Sequence, residues 1–237
     1  MILPQTITNI ILQPERLLFQ NEACFVINKL PGESSEFPQP EKDGSGVPVH
    51  RLDQPVSGCL LLAKTPEAAA FLGAAFAHSS EVNSSGGGRV EKRYWAIIEK
   101  PEKEIPSEAE LVHWLNFNTK TNKSFANEGA GRGRKKAVMR YRIAGAGERY
   151  LFLEIELVTG RHHQIRAQLA ALGLHVKGDL KYGARRSEKG GGIRLHAYSL
   201  AFPNPLKTDE AIEVKALPHV MDALWTACAE ALESVEN

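Results

Sequence analysis

The chain has few cysteines and no long apolar run, and both absences limit what it can be. Only three cysteines, Cys24, Cys59 and Cys228, occur among 237 residues. They lie far apart and form no Cys-x-x-Cys pair, which argues against a disulfide framework or a structural zinc site and favours a reducing compartment. No stretch approaches about 18 apolar residues, so we expect no membrane span. The N-terminus lacks a basic segment and a clean apolar core, so we expect no signal peptide and a cytoplasmic protein.

The overall charge does not indicate a partner, but its distribution does. The formal net charge is only +1, and 43% of the residues are hydrophobic. Between Arg161 and Arg194, however, eight lysines and arginines face two acids, with three histidines in addition. A local basic surface on a neutral protein is typical of a site that binds a phosphate backbone, although a solvated helix face can look the same.

Alternating and apolar runs joined by short turns predict an α+β fold, with a mostly antiparallel mixed sheet and flanking helices. Residues 101–131 look irregular and polar, and 33–48, 79–89 and 184–192 are rich in glycine, serine or proline, which predicts loops. The predicted strands cover residues 23–28, 59–63, 90–98, 132–143, 151–158 and 194–202. The predicted helices cover residues 66–78, a segment from about 160 to 172, and 217–234.

The most informative motif is His-Arg-Leu-Asp-x-x-x-Ser-Gly over residues 50–58, which is followed by an apolar strand. It sets the carboxylate of Asp53 at the mouth of a core strand, beside His50 and Arg51. A carboxylate there is costly unless it is paired, and an acid held at a cleft by a rigid scaffold is typical of a reaction site. A chance Arg/Asp pair in a surface loop is the alternative interpretation.

Two later segments add to this motif. On the strand at 90–98, Lys92, Tyr94 and Ala96 share a face, so Tyr94 can offer a ring for stacking and a hydroxyl for a hydrogen bond. The run Gly-Arg-His-His-Gln-Ile-Arg at 160–166 is expected to begin a helix, whose free N–H groups suit an anion. A zinc site made of His50, His162 and His163 is a poor alternative because no HExxH spacing or cysteine cluster accompanies them.

Together these segments resemble the RNA pseudouridine synthases of the RluA branch. The matching pieces occur in the family's order over residues 17–205, and they include Lys-x-Tyr-x-Ala at 92–96, Gly-Asp-Leu-Lys-Tyr-Gly at 178–183 and Arg-Leu-His-Ala at 194–197. The chain departs from the family at Val56, where threonine is usual, and at His162, where serine or threonine is usual. The resemblance implies a pseudouridine synthase fold with a central active-site cleft.

The resemblance also implies a reaction and its residues. Uridine in ribosomal or transfer RNA would be isomerised to pseudouridine without cofactor or metal. Asp53 matches the catalytic aspartate, Arg166 its basic partner and Tyr94 the active-site tyrosine. The target uridine must be flipped out of its stack, and basic side chains would hold the backbone. The expected RNA-binding or substrate-binding residues are His50, Arg51, Arg161, His163, Gln164, Lys177, Lys181, Arg185, Arg186 and Leu195.

We expect a single catalytic domain over residues 1–237, without the separate N-terminal RNA-binding domain of many relatives, and a monomer. An RNA-binding protein that keeps the fold without turnover is the main alternative, because of Val56 and His162. A zinc nucleobase deaminase would need HxE and PCxxC motifs, which are absent. A glycosidase would need a second acid beside Asp53, and the matching segments offer none.

Overall fold

The computed structural model describes residues 14–36, 46–78, 89–188 and 190–236. In chain order the strands are β1 (Leu17–Gln20), β2 (Cys24–Lys29), β3 (Val47–Pro48), β4 (Ser57–Ala63), β5 (Glu91–Glu99), β6 (Glu108–Asn118), β7 (Lys123–Asn127), β8 (Lys135–Ala146), β9 (Tyr150–Leu157), β10 (Leu195–Asn204) and β11 (Lys207–Lys215). The helices are α1 (Pro66–His78), α2 (Gln164–Ala171) and α3 (Ala223–Glu236). This content confirms the predicted α+β class.

The chain divides into two compact units. Unit 1 contains Met1–Lys92 and Ala197–His219, and unit 2 contains Arg93–His196 and Val220–Asn237. Unit 1 has the strand order β1-β2-β4-β10, with β3 beside β4 and β11 beside β10. Unit 2 has the order β5-β9-β8-β6-β7.

Unit 1 is built around the antiparallel pair of β2 and β4, and every residue of both strands is buried. Helix α1 begins where Thr65 Oγ1 accepts a hydrogen bond from the Ala68 N–H, at 3.2 Å, as expected of an N-cap. Gly58 has φ +115°, and a Cβ there would lie 2.3 Å from the Ala197 carbonyl oxygen. Only glycine therefore allows the backbone of β4 to approach β10 so closely.

Unit 2 is an antiparallel sheet packed against the short helix α2. Leu115 of β6, Ala137 of β8, Ala167 of α2 and Tyr182 form a buried cluster there. Helix α2 ends at Ala171, and two residues later Gly173 has φ +72° and donates its N–H to the Ala170 carbonyl at 3.0 Å. A glycine in this left-handed conformation is a common end of a helix.

Several predicted elements need correction. The segment 101–131 is not irregular: it contains all of β6 and all of β7. These strands lack an apolar run. They form by antiparallel pairing with neighbouring strands, in which Leu115 lies opposite Lys135 and Phe117 lies opposite Ser124. Strand β11 also escaped prediction because it is almost wholly exposed. The last helix begins at Ala223 rather than at 217, and the glycine-rich segment at 79–88 lies outside the described residues.

Candidate active site

Asp53 lies in a tight turn directly before β4, and its side chain is half-buried. The Asp53 carbonyl accepts the Val56 N–H at 2.9 Å and closes the turn. On the other side, Ser35 fixes Leu52 twice: its hydroxyl donates to the Leu52 carbonyl at 2.8 Å and accepts the Leu52 N–H at 3.0 Å. The backbone on both sides of Asp53 is therefore hydrogen-bonded to other parts of unit 1.

Lys29, at the end of β2, is the main support of this turn. Its ammonium donates to the carbonyls of Leu30 at 3.0 Å, Gln54 at 3.1 Å and Val56 at 2.6 Å, so it holds the residues that directly follow Asp53. The side chain is fully buried. Burial lowers the pKa of Lys29 to about 8, and the nearby carboxylates of Glu33 and Asp53 oppose that fall. No role for Lys29 was predicted from the sequence.

A second buried cation stands behind Lys29. Arg16 is almost completely buried, donates to the Asn28 carbonyl at 3.2 Å and pairs with Glu33 at 2.5 Å. Glu33 also accepts the Leu30 N–H at 2.9 Å. Nothing in the sequence pattern pointed to this pair, which joins residues 17 positions apart.

Tyr94 lies in the middle of β5, where it is buried and paired in register with Ile155 of β9. Its neighbours at alternate positions, Lys92 and Ala96, are also buried, as the predicted shared face requires. The predicted strand is thus confirmed, and a phenol ring is fixed at one defined position of unit 2.

Arg166 lies in the first turn of α2, and its guanidinium is buried. Asp179 binds it through two parallel contacts, Nε to Oδ2 at 2.7 Å and Nη2 to Oδ1 at 2.8 Å. The guanidinium carbon also lies 4.8 Å from the ring centre of Tyr182. A two-pronged pair with a ring on one face fixes both the position and the plane of the guanidinium. Asp179 was part of a matched motif, but no role was predicted for it.

The residues before α2 form a network of rings. His163 has φ +52°, and its Nδ1 lies 3.0 Å from the Tyr182 hydroxyl. That hydroxyl accepts the Ser124 N–H at 2.9 Å and donates to the Ser124 carbonyl at 3.1 Å. The ring of His162 stacks on His163, and its Nδ1 lies 3.0 Å from the Ser124 hydroxyl. His162 thus precedes the helix, rather than sharing a helical face with Arg166.

Both predicted histidines are held as neutral rings. Burial, followed by the positive charge of Arg166, lowers the pKa of His163 to about 3. Burial and Lys92 do the same for His50, whose pKa also falls to about 3. The His50 ring stacks on Phe76 at 4.7 Å and its Nε2 accepts the Leu61 N–H at 3.0 Å. These contacts are those of a structural histidine.

The other predicted contact residues fall into two groups. Gln164 and Leu195 are buried, and the Gln164 amide accepts from Thr159 and Arg161 while donating to Val138. Lys177 is largely buried and pairs with Glu188. The remaining side chains are exposed: Arg51, Arg161, Lys181, Arg185 and Arg186.

Asp53 belongs to unit 1, whereas Tyr94 and Arg166 belong to unit 2. Among the described residues, no three His, Cys, Asp or Glu side chains are placed to hold a metal ion. A cavity of about 490 Å³ lies on the face of unit 2 that carries Arg140, Arg142, Glu154 and Glu156. None of the three predicted catalytic residues lines it. In the described part of the chain no helix is long and apolar enough to cross a membrane.

Comparison with known proteins gives a consistent result. Residues 11–171 match the model of a family described as RNA pseudouridylate synthase. An uncharacterized RNA pseudouridine synthase of Zymomonas mobilis is 33% identical over 64% of this chain and 64% of its own length. Ribosomal large subunit pseudouridine synthase D of the same organism is 30% identical over 75% and 54%. tRNA pseudouridine synthase C of Haemophilus ducreyi is 32% identical over 75% and 73%.

The chain therefore spans between about half and three-quarters of the length of these curated relatives. Among solved structures, human RNA pseudouridylate synthase domain containing 1 superposes with a TM-score of 0.69, at 23% identity, over 90% of this chain and 86% of that one. This similarity confirms the predicted fold.

Proposed function

Because the chain belongs to the RNA pseudouridine synthase family, in its RluA branch, we propose that it isomerises uridine in ribosomal or transfer RNA to pseudouridine. The observation that carries the proposal is the turn around Asp53. The family's aspartate motif folds here as a braced turn in front of a buried strand, with its carboxylate half-buried rather than enclosed in the core. A carboxylate held this firmly is suited to act on a substrate that docks against it.

The reaction needs no external reactant. The bond from uracil N1 to ribose C1′ breaks, the uracil turns over, and a bond from C5 to C1′ forms. C5 loses a proton and N1 gains one, so substrate and product are isomers. Asp53 attacks the sugar or the base as a nucleophile, removes and later returns the proton of ribose C2′, or stabilises the positive charge that develops on the sugar. None of these routes requires a cofactor or a metal.

Arg166 is proposed to orient Asp53. The paired contacts with Asp179 use Nε and Nη2 and fix the plane of the guanidinium. A guanidinium whose plane is already fixed binds a second carboxylate at little further cost in entropy. Tyr94 is proposed to stack on the flipped uracil, since its phenol is rigidly mounted on β5.

The substrate is proposed to be RNA with the target uridine turned out of its stack, which is easiest in loops and single strands. Arg51, Arg161, Lys181, Arg185 and Arg186 support this proposal because they are exposed. His50, Gln164, Lys177 and Leu195 make internal contacts instead, so they would act by shaping the site. We further propose a monomer in the cytoplasm, to which the three free, buried cysteines are suited.

The experiment that tests the function is a map of pseudouridines in total RNA from cells with and without the gene. We expect at least one uridine to be modified only when the gene is present. A gene carrying Asp53→Asn should fail to restore that position, although its protein should accumulate normally. Identical maps with and without the gene, together with tight RNA binding by the protein, would favour the alternative of an RNA-binding protein without turnover.

A further inference from the structure

The hairpin of β6 and β7, with the segment that follows it, carries an excess of positive charge. Residues 119–136 contain six lysines and arginines and one acid, Glu128. Within the described residues, no carboxylate forms an ion pair with any of those six side chains or with Arg161. Five of the six are exposed, namely Lys120, Arg132, Arg134, Lys135 and Lys136.

Two arginines further along β8 behave differently. Arg140 contacts Glu110 at 2.9 Å and Glu156 at 3.1 Å, and Arg142 contacts Glu154 at 2.5 Å. That part of unit 2 neutralises its own charge, as an ordinary solvated sheet face does. The hairpin concentrates charge of one sign instead, which costs free energy through self-repulsion unless a negatively charged partner binds.

An aromatic stack ends at the same hairpin. Starting inside unit 2, the Tyr182 ring meets His163 edge-on at 5.6 Å, and His163 stacks on His162 at 3.8 Å. His162 then contacts Phe117 at 4.3 Å between ring centres. Phe117 is the outermost ring, and 47% of its surface is exposed. An exposed phenylalanine that closes a stack of rings is a platform on which one more flat group can lie.

The charge and the platform lie close together. Lys135 is in register with Leu115, two residues before Phe117 on β6, so the side chains of Lys135 and Phe117 leave the same face of the sheet. Arg161 donates to the Lys136 carbonyl at 3.1 Å, which places its guanidinium beside the same strand. A stacking ring surrounded by exposed cations is the combination that binds single-stranded nucleic acid.

We propose that Phe117, Lys120, Arg132, Arg134, Lys135 and Arg161, the basic hairpin surface, bind a single-stranded stretch of RNA that flanks the target uridine. One base stacks on Phe117, whose ring is tilted by 57° at the end of the column of His162 and His163, and the cations contact the phosphates around it. The inference rests on the proposed function, since it takes RNA to be the substrate. His162 gives this chain a ring where the resembling family usually has serine or threonine, so the column is a feature of this chain.

The test is direct binding of a labelled 20-nucleotide oligouridylate, compared with a blunt duplex of the same length, over a series of salt concentrations. The charge variant Lys120→Ala/Lys135→Ala should bind the oligouridylate more weakly. It should also lower the slope of log K against log salt by about 1.4, because each phosphate contact on a single strand contributes about 0.7. Phe117→Ala should weaken binding of the single strand about tenfold and leave the salt slope unchanged.

The matched control is Leu206→Ala/Lys207→Ala at the turn between β10 and β11, where an exposed leucine adjoins an exposed lysine. It should leave both affinity and salt slope unchanged. Phe117→Leu distinguishes loss of the stacking ring from a folding defect, because leucine keeps an apolar contact with His162 but offers no ring. This variant should bind as weakly as Phe117→Ala while retaining the parental melting temperature.

The inference would be overturned if the charge variant kept the salt slope of the parent protein. It would also be overturned if the control variant lost as much affinity and salt slope as the charge variant. Stronger binding of the duplex or of an oligoglutamate peptide than of the oligouridylate would overturn it as well. Because binding is measured without turnover, a protein that passes this test and yet modifies no uridine would refute the proposed function and leave the surface standing.

Discussion

The turn that carries Asp53 and the helix that carries Arg166 secure their functional groups in different ways. Asp53 is positioned through its backbone, because Lys29 and Ser35 bind carbonyl and amide groups of the neighbouring residues. Arg166 is positioned through its own side chain, by the fork from Asp179 and the ring of Tyr182. The support of Asp53 therefore acts on backbone groups, whereas the support of Arg166 uses two N–H donors of its own guanidinium.

The largest effect is expected where the side-chain support is removed. Asp179→Ala takes the fork away from a buried guanidinium, and breaking a buried pair costs on the order of 3–5 kcal/mol of unfolding free energy. Glu110→Ala is the control, because its partner Arg140 is half exposed and such pairs contribute about 1 kcal/mol or less. Urea denaturation of the two variants measures the difference. Equal, small losses would show that Asp179 does not hold Arg166.

Removing the backbone support should cost somewhat less. Lys29→Met keeps the buried aliphatic stem but removes the ammonium that donates to the Gln54 and Val56 carbonyls, which costs about 2–3 kcal/mol although the Gln54 carbonyl still accepts the Gly32 N–H. Lys64→Met is the control: Lys64 also donates to a carbonyl, that of Asn21, but it is exposed. Lys29→Met should also have a lower turnover rate at saturating RNA. Full activity of Lys29→Met would show that catalysis does not depend on the support that Lys29 gives to the turn.

A fall in pH should destabilise both regions together. His50 near the turn and His163 before α2 both have pKa values lowered from 6.5 to about 3. The unfolded chain therefore takes up protons at these two sites below about pH 6.5 that the folded chain does not, so stability present at pH 7 is lost as the pH falls toward 3. Denaturation of the parent and of His50→Gln at pH 7, 6 and 5 tests this. The variant should show a shallower pH dependence, and an unchanged slope would refute the assignment.

The smallest change in stability is expected at Tyr94. Tyr94→Phe keeps the ring and removes one hydroxyl, for about 1 kcal/mol. If stacking is the main role of Tyr94, turnover should fall less than tenfold in a single-turnover assay. A loss of a hundredfold or more would instead assign to the hydroxyl the removal of the C5 proton.

The elements that the sequence predicted correctly are those with a local signal. Strand β4 is a continuous apolar run, β9 alternates, and α1 has an N-cap and a first-turn proline, so each is specified by its own residues. Strands β6, β7 and β11 form through cross-strand partners distant in sequence, as in Ser199↔Lys215. A pattern read along the chain cannot contain that information.

The same distinction applies to the candidate site. Asp53, Tyr94 and Arg166 were predicted as site residues because they lie in contiguous motifs with a familiar spacing. The residues that support them were not predicted. Lys29 donates to carbonyls 25 and 27 residues away, and Arg16 pairs with Glu33, which is 17 residues away. Backbone acceptors leave no trace in the sequence, so a lysine that binds them looks like any other lysine.

The most direct test of the account is release of tritium from RNA labelled at C5 of uridine, using the purified protein and its Asp53→Asn variant. We expect tritium release by the parent protein and none above background by the variant, with both proteins binding the RNA equally well. Tritium release by Asp53→Asn at the parental rate would contradict a catalytic role of Asp53, because its carboxylate would then have no part in the reaction.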